Sequence, residues 1–213
     1  MAMIRSKRKF PSLPYFWSLI DWTLPSLNPY KGQLLRAQSV SDIAKVARKR
    51  TPKVVFDYVE GGAVDEMAYS RSRDAYSRIE FNSRVLRDVS TVDASTTILG
   101  KKVDLPICFA PTGYTRLMHH VGEPAVANVA AENNLIYALS TMGTTSPAEL
   151  AAAVPNARRW FQLYVMKNRS DTLAVIKQAK DAGFEALVLT VDTPVAGLRY
   201  RDNRNGLTVP PKI

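Results

Sequence analysis

Four apolar runs punctuate the second half of the chain: Pro106–Ala110, Ile136–Ser140, Trp160–Val165 and Ala186–Val191. Each has the length of a strand covered on both faces. Between them lie three segments that read as helices, Glu123–Asn133, Pro147–Ala153 and Ser170–Ala182. In the last, Leu173, Ile176 and Ala179 fall at helical spacing, and Gly183 closes the segment. Strand starts recur roughly every 25–30 residues, the size of a βα unit. Continuous apolar strands alternating with amphipathic helices predict an α/β fold, a parallel sheet covered by helices.

The first half reads differently. Over residues 1–38, Pro11, Pro14, Pro25 and Pro29 break any long helix, and an irregular arm is expected. From 39 to 80 the pattern is helical. Ser39 or Ser41 caps Ile43–Arg50. Thr51-Pro52 then opens a helix whose Val55, Tyr58 and Val59 share a face and which Gly61-Gly62 ends; Asp65–Ser77 forms a third. Thr96–Leu99, a turn at Gly100-Lys101 and then Lys102-Val103 predict a hairpin. Expected boundaries are therefore an arm over 1–38, a helical segment over 39–95 and the α/β region over 96–213.

Both a doubly wound sheet and a (β/α)8 barrel fit this pattern. Ala110-Pro111-Thr112-Gly113 after the first strand is not a Gly-rich dinucleotide fingerprint, which weighs against the former. Only four strands fit into the 213 residues, whereas a full barrel takes about 250. The pattern leaves an open four-stranded domain and half a barrel as alternatives.

Composition narrows the setting. With 46% hydrophobic residues the chain can bury a core. Cys108 is the single cysteine, lies in an apolar run and is expected to be a buried, reduced thiol. It excludes an internal disulfide and a cysteine metal site, and fits a cytoplasmic location. Of the net charge of +10, most belongs to residues 1–50, which hold ten Lys or Arg against two Asp. The charge thus marks an arm and not a polyanion-binding surface, and no nucleic-acid motif accompanies it. Tyr15–Trp22 follows the basic Arg5–Lys9, but it is short and contains Asp21. It reads neither as a signal peptide nor as a membrane span. The first reading is an arm packed on protein, its own or a neighbouring subunit's. The second is contact with the inner face of a membrane.

Candidate chemistry sits at the carboxyl ends of the strands, where parallel α/β sheets bind ligands. Gln162 and Tyr164 are two apart and share a side, as do Thr190 and Asp192; Ser140-Thr141 ends the second strand. Polar side chains at positions that burial would otherwise fill with apolar ones predict a site lined with hydrogen-bonding groups.

Several motifs then stand in register. They are Phe56-Asp57-Tyr58 with Gly61-Gly62-Ala63 and Asp65-Glu66; Thr97–Gly100; Pro106-Ile107 with Ala110–Gly113; Trp160–Tyr164; and Thr190–Pro194. In this order and spacing the chain resembles the FMN-dependent 2-hydroxy acid dehydrogenases and oxidases. Pro194–Asp202 is most similar to the bacterial L-lactate dehydrogenase branch. The resemblance implies the first half of a (β/α)8 barrel with FMN at its mouth. It implies that Pro111, Thr112 and Gly113 lie against the flavin, and that Ser140, Gln162 and Thr190 bond its polar edge. Tyr58 and Tyr164 would contact substrate, Arg199 would clamp its carboxylate, and Asp192 would support a histidine base.

The implied reaction is oxidation of an L-2-hydroxy acid, L-lactate foremost, to the 2-oxo acid. Electrons would pass to a quinone, a cytochrome or oxygen, and the complete enzyme would be a homo-oligomer. In the family the base follows a late barrel strand. This chain has only His119 and His120, after the first strand, and reads His119-His120-Val121-Gly122-Glu123 where the family has His-Pro-Glu-Gly-Glu. The chain is therefore expected to be truncated and inactive alone. The alternative expectation is a noncatalytic fragment that persists only by association.

Overall fold

The computed structural model describes residues 12–19, 27–193, 195 and 197–207. The basic residues Arg5–Lys9, the segment around Asp21, and Pro194, Ala196 and Val209–Ile213 lie outside the described residues. By contacts the chain divides into two compact units, Met1–Arg50 and Thr51–Ile213. This division cuts the expected helical segment 39–95 after its first helix.

In the first unit, α1 (Leu13–Ser18) and α2 (Pro29–Leu35) occupy the arm expected to be irregular. Pro14 and Pro29 explain the difference: each stands in the first turn, where a missing N–H costs no helical bond. Asn28 caps α2, its side-chain oxygen accepting from the N–H groups of Tyr30 at 3.0 Å and Lys31 at 3.3 Å. Helix α3 spans Val40–Arg50, and the Ser39 hydroxyl accepts from the Asp42 N–H at 3.2 Å. None of the described helices is long and apolar enough to cross a membrane.

The second unit opens with α4 (Lys53–Glu60) and α5 (Met67–Tyr76). Helix α4 ends where Gly61 turns extended, ψ 157°, and a Cβ there would stand 2.6 Å from the Asp57 carbonyl oxygen. The hairpin follows as β1 (Thr96–Ile98) and β2 (Lys101–Val103). Its turn is Leu99-Gly100, one residue earlier than the sequence pattern suggests. Both residues have positive φ, 48° and 74°, the conformation that suits a two-residue hairpin loop.

The remaining elements are β3 (Cys108–Phe109), α6 (Thr115–Met118), α7 (Glu123–Glu132), β4 (Ile136–Ser140), α8 (Pro147–Ala153), β5 (Arg158–Leu163), α9 (Arg169–Asp181), β6 (Ala186–Leu189) and α10 (Tyr200–Arg204). The four strands β3-β4-β5-β6 pair in sequence order, all parallel. This is the α/β order of four successive βα units, the order that the first half of a (β/α)8 barrel would have. The short helices α6 and α10 were not visible in the periodicity, since a four- or five-residue helix completes hardly more than one turn.

Side-chain alternation divides the sheet into two faces. Tyr137, Leu139, Phe161 and Leu163 point to the helix side and pack with Ala127, Ala130, Leu150, Val154 and Ala179 into the core. Ile136, Ala138, Ser140 and Gln162 take the opposite face, also buried. Strand β3 pairs over two residues only and has one neighbour, so Cys108 is exposed and not buried as expected from its apolar surroundings. Strand β6 carries Leu187 and Leu189 on the helix side, 48% and 53% exposed.

At the amino end of the sheet the hairpin is tied on by charge. Glu185 accepts from Arg158 at 2.9 Å and from Lys101 at 2.6 Å, and Arg158 also reaches the Ile98 carbonyl at 3.2 Å. At the carboxyl end, Glu123 is fully buried at the start of α7. Burial alone would raise its pKa. Hydrogen bonds from the Thr144 N–H at 2.6 Å, the Thr145 hydroxyl at 2.7 Å and the Thr144 hydroxyl outweigh that and lower it. One carboxylate thereby fastens the loop after β4 to α7. The altered sequence before it still makes a defined turn: Gly122 has φ 65°, and a Cβ there would meet the Arg116 side chain at 2.6 Å.

Because the folded-state pKa of Glu123 is depressed, its contribution to stability is complete above the ordinary carboxylate range. It is lost as pH falls through the lower, folded value. Glu123→Gln should destabilise the chain by about 2–3 kcal/mol at neutral pH. Urea unfolding across pH should also show a shallower acid limb than wild type; equal stabilities at neutral pH would refute the anchoring role.

Candidate functional site

The second-face residues of β4 and β5 reach the carboxyl ends of their strands as polar groups. Register sets Ser140 directly opposite Gln162, and Thr190 follows two residues after Val188, the partner of Gln162. A chain of hydrogen bonds results. The Ser140 hydroxyl donates to Gln162 Oε1 at 3.0 Å, and Gln162 Nε2 donates to the Thr190 hydroxyl at 2.8 Å. Gln162 is 3% exposed, so its amide orientation is fixed by these partners and by the Thr141 N–H, which donates to Oε1 at 3.2 Å.

Thr141 strengthens the same junction. Its hydroxyl donates to the Gln162 carbonyl at 2.6 Å and accepts from the Tyr164 N–H at 3.1 Å. The bonds leave one Nε2 hydrogen of Gln162 and the Thr190 hydroxyl hydrogen without an acceptor among the described residues. These donors border a cleft of about 680 Å³.

Seven of the sequence-predicted residues line that cleft: Tyr58, Pro111, Gly113, Ser140, Gln162, Tyr164 and Thr190. Three do not. Thr112 and Asp192 are exposed beside it. Arg199 turns its guanidinium inward: Nη2 donates to the carbonyls of Tyr58 and Gly61, Nε donates to Asp202, and the group lies 4.9 Å from the Tyr58 ring centroid. Those nitrogens are already bonded within the protein. His119 and His120 stack on one another, exposed, and neither lines the cleft.

Sequence reasoning did not single out Tyr114, Met142, Val165, Val191 and Thr193, which complete the lining. Tyr114 and Met142 lie in loops, where periodicity carries no information. Tyr114 is 8% exposed and packs edge-on against Tyr58 at 6.2 Å. Gly113 has a reason to be small beyond any ligand, since a Cβ there would stand 3.0 Å from that of Met142. Burial pushes the Tyr58 phenol up; Arg199 opposes this, and Asp202 and Tyr164 reinforce it. Burial likewise pushes the Tyr114 phenol up. Both therefore remain neutral donors at physiological pH.

Comparison with known proteins gives this arrangement a context. The profile of the FMN-dependent dehydrogenase family matches residues 47–213. This chain belongs to the FMN-dependent dehydrogenase family. Among its relatives, a putative L-lactate dehydrogenase from Mycobacterium tuberculosis is 41% identical over 206 residues, 97% of this chain and 50% of that protein. Glycolate oxidase from Spinacia oleracea is 41% identical over 173 residues, covering 81% and 47%. A crystal structure of mandelate oxidase superposes with TM-score 0.75 at 38% identity, over 81% of this chain and 51% of that one. The structure of an oxidised active mutant of (S)-mandelate dehydrogenase gives 0.76 at 36% identity, over 81% and 48%. The chain spans about half the length of the relatives it matches.

The cleft fits the family's cofactor. A flat ring with carbonyl oxygens along one edge needs donors in a row, and the Gln162 amide and Thr190 hydroxyl offer them at adjacent strand ends. Replacing Gln162 by Leu strands the Ser140 and Thr190 hydroxyls together. It should cost about 1–3 kcal/mol in urea unfolding, and an unchanged midpoint would show that the bonds add nothing to the fold.

Proposed function

We propose that this chain forms the flavin-binding and part of the substrate-binding surface of an enzyme that oxidises an L-2-hydroxy acid, L-lactate foremost, to the 2-oxo acid. The observation that carries this reading is the Ser140–Gln162–Thr190 chain facing the cleft. When bound, FMN supplies a two-electron acceptor at its N5 position.

The residues of the chain do the rest. Gln162 and Thr190 donate to the polar edge of the ring, and Ser140 fixes which way the amide points. The main chain at Pro111 and Gly113 forms the wall against which the ring lies. The phenols of Tyr58 and Tyr164 hold the substrate, the first by its carboxylate and the second by its hydroxyl. Asp192, exposed at the end of β6, lends negative charge to an imidazole base that must take the hydroxyl proton. No histidine lines the cleft. A base at that position is outside what these residues supply, and the chain alone binds flavin without turning over. Electrons leave the complete enzyme, a homo-oligomer, to a quinone, a cytochrome or oxygen.

The first unit supports a second role. Nearly all of it precedes the family-matched residues. Helix α1 and the residue after it expose Leu13, Tyr15, Phe16, Trp17 and Leu19, each at least half exposed. Helix α3 ends in Arg48, Lys49 and Arg50. Exposed apolar and aromatic side chains in a unit with a basic surplus suit the headgroup layer of an anionic membrane. On this reading the protein works in the cytoplasm, in peripheral contact with the inner membrane face.

Titrating FMN into the purified chain should quench flavin fluorescence, and Gln162→Leu should weaken binding by about tenfold. L-lactate should leave the visible flavin spectrum unchanged. Absence of quenching removes the flavin-binding role, and bleaching by lactate removes the claim that a base is lacking. For the arm, the chain should co-sediment with phosphatidylglycerol vesicles and not with phosphatidylcholine vesicles, with release at high salt. Equal recovery with both lipids would rule out the charge-assisted contact.

A further inference from the structure

Tyr58 reaches the cleft from α4, outside the βα units, and two distant side chains bracket its ring. Arg199 places its guanidinium 4.9 Å from the ring centroid. Tyr114 meets it edge-on, with centroids 6.2 Å apart and planes inclined at 62°. The hold on Arg199 is plain from its bonds to the Tyr58 and Gly61 carbonyls and to Asp202.

Tyr114 is the more informative of the two. Its backbone is left-handed, φ 54° and ψ 38°, a conformation that disfavours a bulky side chain. Asn or Gly would make the same turn at lower cost, but neither carries a ring. The strain is held in place by bonds to both neighbours: the Tyr114 N–H donates to the Met142 carbonyl at 2.9 Å, and its own carbonyl accepts from the Leu117 N–H at 2.9 Å. Among the described residues its hydroxyl meets only the Met142 sulfur, at 4.0 Å, a weak acceptor. The side chain is 8% exposed. What this strained, buried residue contributes to the cleft is a ring face and edge, not a hydroxyl.

We infer that Tyr114 is a positioning residue for Tyr58: its ring, wedged between the loop after β4 and α4, fixes the Tyr58 phenol against the cleft. The inference rests on the reading in which Tyr58 meets the substrate carboxylate. It links the loop after β3, the loop after β4 and α4 through one aromatic contact. Strain is retained at Tyr114 because the geometry of a neighbour depends on it.

The test uses the 213-residue chain with ring-labelled tyrosine, observed by NMR in the presence of FMN, with the Tyr58 resonance assigned through Tyr58→Phe. Tyr114→Leu should move the Tyr58 resonance, because the edge-on ring is gone, while Tyr114→Phe should leave it in place. Tyr114→Met, which keeps bulk without an aromatic ring, serves beside the Leu variant should the latter fail to fold. Pyruvate is then titrated and followed at the Tyr58 resonance. The Phe variant should match wild type within about twofold and the non-aromatic variants should weaken by up to about tenfold. A Tyr58 resonance unmoved in the Leu and Met variants overturns the positioning role. A moved resonance with equal pyruvate affinity in every variant overturns its consequence for the substrate. Failure of the wild-type chain to bind pyruvate while it binds FMN overturns the assignment of Tyr58 to the carboxylate, and the inference with it.

Discussion

The amide of Gln162 stands between two hydroxyls on neighbouring strands, and the carboxyl end of the sheet is organised around it. Each of its polar atoms has a partner on a different element: Ser140 and Thr141 from β4 and its extension, Thr190 from the end of β6. A primary amide has a carbonyl at one end and an NH2 at the other, so it can join a donor on one side to an acceptor on the other. Reversing it would set an NH2 against the Thr141 N–H and a carbonyl against a hydroxyl that could still donate. The Thr141 contact therefore selects the orientation. Such a buried polar chain is tolerated in the sheet because every member is paired or faces the cleft.

Parallel pairing is what brings these groups together. In-register pairing of Ser140 with Gln162 sets two strand ends level, and the two-residue repeat of side-chain direction turns both away from the helix-side core. The same repeat made this much readable from sequence. Gln162 and Tyr164, Thr190 and Asp192 show as polar pairs at intervals of two, and Ser140 shows as the end of an apolar run. Family resemblance added Tyr58, Pro111 and Gly113, which no periodicity reveals.

What could not be read depends on where loops meet. Tyr114 and Met142 come together because the loops after β3 and β4 pass within a methyl group of one another at Gly113. That approach is a property of two segments nearly thirty residues apart. In the sequence Glu123 is only the first residue of the helical segment Glu123–Asn133, yet three bonding groups from Thr144 and Thr145 make it a buried anchor. Resemblance implied a carboxylate clamp at Arg199, while its bonds to the Tyr58 and Gly61 carbonyls appear only in three dimensions. Cys108 misled in the other direction, because local hydrophobicity does not report whether a strand has one neighbour or two.

The ion pairs of Glu185 with Arg158 and Lys101 hold the hairpin to the amino end of the sheet, opposite the cleft. The two ends of each strand therefore answer to different demands: one maintains the scaffold, the other meets small molecules. Variation can accumulate around the mouth without loosening the base, so a new substrate preference can evolve while the foundation beneath it is left alone.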